Sequence, residues 1–109
     1  MNSIFQWFEG GLAVDDENSF AVNDYKLSQN YPNPFNPVTV ISYQVPVKGF
    51  ITLKVYDIIG REVQTLVNEE KAAGKYEIHF DASSLSSGVY FYKILSENYS
   101  DIKKMVFLK

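Results

Sequence analysis

From Tyr25 onward, apolar and polar residues alternate in short runs separated by turn-forming residues. Such a period of two is the mark of strands, whose successive side chains point to opposite faces. Val38–Val45 puts Ile41, Tyr43 and Val45 on one face, and Phe50–Asp57 sets Ile51, Leu53 and Val55 against Thr52, Lys54 and Tyr56. In Asp57-Ile58-Ile59-Gly60, Asp opens a type I turn and Gly60 stands where φ is often positive. With Glu62–Val67 beyond it, 50–67 is predicted to be a hairpin. Lys75–Ala82 alternates most cleanly, with Tyr76, Ile78 and Phe80 inward and Lys75, Glu77, His79 and Asp81 outward. Gly88–Ser96 is apolar on both faces, which predicts a central strand. Asp101–Lys109 is the last strand and Tyr25–Gln29 a weak first one. Pro46–Gly49 and Glu97–Ser100 read as turns, 68–74 as a further hairpin connection and 83–88 as a loop.

Seven short strands at this spacing predict an all-β, seven-stranded antiparallel immunoglobulin-like sandwich, with a small barrel as the alternative. Its core should hold Ile41, Leu53, Val55, Ile78, Phe80 and at least one of Tyr90 and Tyr92. The 109 residues suit one domain, and 46% hydrophobic with 16% aromatic content is enough for a core. Charge divides the chain in two. Residues 1–24 carry five acids and no Lys or Arg, whereas 25–109 carry ten bases and eight acids. Residues 1–23 therefore read as an acidic linker or the remnant of a preceding region, and 24–109 as the domain. The first residues do not read as a signal peptide, because they lack Lys and Arg and SIFQWF is too short for an apolar core. No apolar run approaches the length of a membrane-spanning helix.

Candidate chemistry is sparse. With no cysteine, disulfides, Cys-based zinc sites and a Cys nucleophile are excluded. A net charge of −3 without a basic run gives no support for nucleic-acid binding. His79, the single histidine, shares a strand face with Glu77 and Asp81, which reads as a solvated face before it reads as a metal site. Ser83, Ser84, Ser86 and Ser87 lack a nucleophile elbow and suit a turn led by Asp81. Glu69-Glu70 sit in a connection with no cleft, unlike a glycosidase pair. Tyr90, Phe91 and Tyr92 could stack on sugars, but alternation commits at least one face to the core. No catalytic residue, metal or cofactor is expected, nor a small-molecule substrate. PNPFNP at 32–37 cannot form a central strand, because three prolines remove three ladder donors. Asn33 and Asn36 each precede a proline, which favours turns. A turn alone hardly requires three prolines and two asparagines in six residues.

The strings LSQNYPNPFNP at 27–37, LKVYDIIGREVQTLV at 53–67, AGKYEIHFDAS at 73–83, LSSGVYFYKI at 85–94 and KKMVFLK at 103–109 resemble, in order and spacing, the type A C-terminal sorting domains of the type IX (Por) secretion system. The resemblance spans about 24–109. Its family positions here are Pro32, Asn33, Pro34, Phe35, Asn36, Pro37, Gly60, Gly88, Val89 and Tyr90. It implies a non-catalytic signal at the end of a cargo protein of Bacteroidetes-type bacteria. Cargo with its own signal peptide would enter the periplasm, pass the outer-membrane translocon and reach the cell surface or medium. A sortase would remove the domain, and cleavage is expected within 10–24. Lys103, Lys104, Met105, Val106, Phe107, Leu108 and Lys109 are the expected recognition strand, with an open edge, positive charge and apolar groups on both faces suited to strand addition or groove docking. Two other classes remain open: an immunoglobulin-like structural or adhesion module, since VYDIIGREV also resembles the module of flagellar hook-capping proteins, and a carbohydrate-binding accessory domain.

Overall fold

The computed structural model describes residues 23–109; the acidic segment and the cleavage region lie almost wholly outside the described residues. Seven strands succeed one another: β1 (Lys26–Leu27), β2 (Val38–Val45), β3 (Gly49–Tyr56), β4 (Glu62–Lys71), β5 (Gly74–Asp81), β6 (Gly88–Leu95) and β7 (Ser100–Phe107). They form a three-stranded sheet, β1-β2-β5, and a four-stranded sheet, β4-β3-β6-β7, with every strand pair antiparallel. This is the predicted sandwich, and β6 is an interior strand of its sheet.

Alternation decides the faces. Ile41, Tyr43 and Val45 from β2, Ile51, Leu53 and Val55 from β3, and Tyr90, Tyr92 and Ile94 from β6 are buried between the sheets with Phe80 and Val67. Full burial of one such side chain contributes about 1.5–3 kcal/mol, so these inner faces hold the layers together. Ile78 packs against this core but is only partly buried. The β3–β4 turn forms as read. Gly60 has φ of 89° and donates its N–H to the Asp57 carbonyl at 3.0 Å. The Asp57 carboxylate accepts the Arg61 and Ile59 amides and the Arg61 side chain, and the Arg61 backbone bond is the chief cause holding it below the usual carboxylate range.

Three expectations are corrected. Strand β4 runs on through Asn68-Glu69-Glu70-Lys71, paired with Gly49–Thr52 of β3. These residues looked like a connection because an edge strand facing water on both sides carries no apolar alternation. The link from β4 to β5 is no hairpin either. Ala72-Ala73 carries the chain to the other sheet, where β5 pairs with β2. The first strand is also shorter than read, since only Lys26 and Leu27 pair with β2.

Candidate functional site

The proline-rich segment crosses from one sheet to the other. Tyr31 exchanges backbone hydrogen bonds with Val40 of β2, donating at 3.0 Å and accepting at 2.9 Å. Four residues on, Phe35 donates its N–H to the Val106 carbonyl of β7, and Leu108 donates back to the Phe35 carbonyl, each at 3.0 Å. The bridge is parallel. Prolines suit this path because a segment that pairs at only two residues needs few N–H donors. The peptide bonds before Pro32, Pro34 and Pro37 are cis.

Side chains complete this clasp. Phe35, 2% exposed, fills the end of the sandwich, with its ring centroid 5.2 Å from that of Phe107 and 6.1 Å from that of Phe80. Asn33 Oδ1 accepts the Val106 N–H at 3.0 Å, and Gln29 Nε2 donates to the Lys104 carbonyl at 2.7 Å. Beneath lies a buried polar knot. Asn30 Nδ2 donates to Thr39 Oγ1 at 2.9 Å and to the Pro32 carbonyl at 3.1 Å, and the Thr39 hydroxyl donates to that same carbonyl at 2.8 Å. The Tyr92 hydroxyl accepts the Asn30 N–H at 2.7 Å and donates to the Ser28 carbonyl at 2.6 Å. Burial pushes this phenol up to about 12, the Asn30 N–H opposes the rise, and nearby Asp101 adds to it. Satisfied buried networks of this kind fix one geometry, because any partial break leaves a polar group dry.

A model for the secretion system C-terminal sorting domain matches residues 29–108. The chain belongs to this family. The sorting domain is similar in fold to part of PorZ, described as an essential bacterial surface component of the type-IX secretion system of Porphyromonas gingivalis. The identity is 18%, the TM-score is 0.52, and the match covers 74% of this chain and 11% of that one. Crystalline dimeric latent PorU from the same organism matches at 17% identity and a TM-score of 0.62, over 87% of this chain and 10% of that one. The sorting domain thus spans about a tenth of the length of either protein. No curated protein matches the chain.

Most of the positions singled out by the resemblance converge in this sorting domain. Gly88, Val89 and Tyr90 pair with Phe107, Val106 and Met105, so the start of β6, the end of β7 and the clasp meet at one end of the sandwich. Tyr90 donates its hydroxyl to the Ser86 carbonyl at 2.7 Å, and Ser87 Oγ accepts the Lys109 N–H at 2.9 Å. Pro32, Asn33, Pro34, Asn36 and Pro37 are exposed around buried Phe35. Gly60 sits in the β3–β4 turn, with no hydrogen bond to the clasp.

The expected recognition strand divides. Met105 and Phe107 are fully buried and belong to the core, so neither offers a surface to a partner in the folded domain. Lys103 shares their inward phase and is half-buried opposite Tyr92, while Lys104, Leu108 and Lys109 are exposed and Val106 is partly so. Nor is the edge of β7 open as expected, because Gln29, Asn33 and Phe35 occupy it. Asn30 and Thr39 went unnoticed in the sequence. Thr39 had a signal, as it falls in phase with Ile41, Tyr43 and Val45; Asn30 had none, since its partners lie in the fold. His79 is exposed, and no three metal-ligating side chains cluster among the described residues. Asp81 accepts the Ser83 hydroxyl and amide, which hold its carboxyl low and close the turn.

Proposed function

We propose that residues 24–109 act as a folded, non-catalytic address that directs a fused cargo through the outer-membrane type IX translocon. Residues 1–23 link it to that cargo. A sortase then cuts within 10–24, and the cargo is attached at the cell surface or released. The clasp carries this reading. It ties the most distinctive string of the family to the last strand, so the signal is a composite surface that exists only in the folded domain. Exposed Tyr31, Pro32, Asn33, Pro34, Leu108 and Lys109 form its accessible part. A linear tail would need neither the clasp nor the polar knot beneath it.

The test is export of a signal-peptide-bearing reporter from a type IX-competent host. Fusion to 24–109 is expected to give export and fusion to 101–109 alone none. With the whole chain fused, mass spectrometry of the mature reporter should show loss of everything after a cut within 10–24. Equal export with the short tail would overturn the composite signal, and failure of both fusions would overturn the sorting reading itself.

A further inference from the structure

The two sheets turn different chemistry outward. The outer face of β1-β2-β5 is largely polar, with Ser42, Gln44, Lys75, Glu77 and His79. The β6–β7 ribbon instead turns out Val89, Phe91 and Leu95 from one strand and Ile102 and Val106 from the other, with Val89 opposite Val106 and the rest interleaved with Lys104, Lys93 and Ser100. Leu95 is 49% exposed and Ile102 54%. A two-layer sandwich needs one buried face per sheet, and Tyr90, Tyr92, Ile94, Met105 and Phe107 already provide it here. The outer apolar groups are therefore surplus to the fold, and an apolar face interleaved with lysines is suited to a partner that matches both.

The charges say what fits. The outward positions of the ribbon include Lys93 and Lys104 and no carboxylate. Lys93 also stands directly across from Lys54 of β3, an unfavourable like-charge pair. Lys54 discharges onto Glu62 at 3.1 Å, whereas Lys93 and Lys104 form no ion pair among the described residues. A second copy of the chain fits poorly, because each lysine would meet lysines. The area is also small. Two strands of this length present roughly 250 Å², about a third of what each partner buries in a stable complex. We propose that the outer face of the β6–β7 ribbon docks a protein partner that presents carboxylates on an apolar surface, in a transient contact made while the sorting signal is read. This rests on the sorting reading and adds a second contact, on the flat of the sheet, made by the side chains of strands whose edge the clasp covers.

The test uses the full chain fused behind a signal-peptide-bearing reporter in a type IX-competent host. Lys93→Glu with Lys104→Glu should lower export at least tenfold, and Lys93→Arg with Lys104→Arg should restore it. Lys26→Glu with Lys75→Glu makes the same charge change on the other sheet and should export normally. Thermal melting of the purified chains, equal within a few degrees, separates docking from folding. Normal export of the glutamate pair overturns the proposal while leaving the sorting reading intact; failure of the unaltered fusion removes both. Two measurements on the purified full-length chain decide other occupants. Binding to phosphatidylglycerol vesicles, or a dimer in sedimentation equilibrium, that the glutamate pair abolishes would overturn a protein partner in favour of lipid or of a second copy.

Discussion

The four-stranded sheet has two lateral edges, and they are closed by different means. Along β7, the Val106 N–H and carbonyl, the Leu108 N–H and the Lys104 carbonyl are all taken by Asn33, Phe35 and Gln29. Beyond β4, no further strand pairs among the described residues. That edge carries Glu62, Glu69, Glu70 and Lys71, with Lys71 Nζ 2.7 Å from Glu69. Exposed edges invite pairing with another chain, and both covering segments and charge deter it. Charge repels without prescribing a shape. A covering segment replaces a bare ladder with one defined surface, which is what a recognition signal requires.

The largest effect is expected from removing the keystone of the covered edge. Phe35→Ala should cost about 3–5 kcal/mol through lost burial and a cavity between Phe80 and Phe107. Against a total of roughly 5–15 kcal/mol this approaches global unfolding, and urea denaturation measures it. Next comes the polar knot. Tyr92 titrates near 10 in the unfolded chain and at about 12 in the folded one. Its contribution is complete below pH 10 and is lost as pH rises from 10 to 12, roughly 2–3 kcal/mol in all. Tyr43 and Tyr99, also raised chiefly by burial, add in the same direction. Denaturant melts across that range should slope downward, and Tyr92→Phe should flatten the slope while lowering stability at pH 7 by about 1–3 kcal/mol.

Smaller changes sharpen the contrast between the edges. Asn33→Ala removes the acceptor for the Val106 N–H and should cost about 0.5–1.5 kcal/mol. Amide exchange at Val106 should speed up relative to Tyr90 in the sheet interior. At the bare edge, Glu69→Gln with Glu70→Gln should change stability by less than about 1 kcal/mol. Analytical ultracentrifugation should nevertheless show more self-association than for the unaltered chain, and an unchanged monomer would mean that charge is not what guards β4.

The inward phase of β2, β3 and β5 was readable because each has one wet and one dry face, which writes a period of two into the residues, whereas β6 is apolar on both faces and only its interior place in the sheet could be read. The phase of β7 was harder to read. Lys103-Lys104 and Met105-Val106-Phe107-Leu108 contain adjacent residues of like character, so alternation leaves two registers open. Burial chose the one that hides Met105 and Phe107. Sheet membership was invisible as well, since Lys71 to Gly74 looks the same whether the chain turns back or changes layer. The motif at 32–37 stood out by its composition, but its role as an edge cover depends on partners on another strand. Asn30 shows the same limit, being a buried residue whose polar partners at Thr39, Pro32 and Tyr92 meet around it only in the fold.

The bond from Val106 to Asn33 joins residues 73 positions apart. Nearly the whole domain lies inside that loop, and the strand that closes it is the last of the seven to be synthesised. Contacts between distant residues return nothing until the ends meet, so folds built on them form slowly. The end of the sandwich, with Phe35 seated between Phe80 and Phe107, therefore forms only once translation has passed Leu108. Without β7 the ring has neither Phe107 to stack on nor the Val106 and Leu108 backbone to pair with. The finished junction thus reports that β7 has been made and seated, a state that no segment before Val106 can imitate.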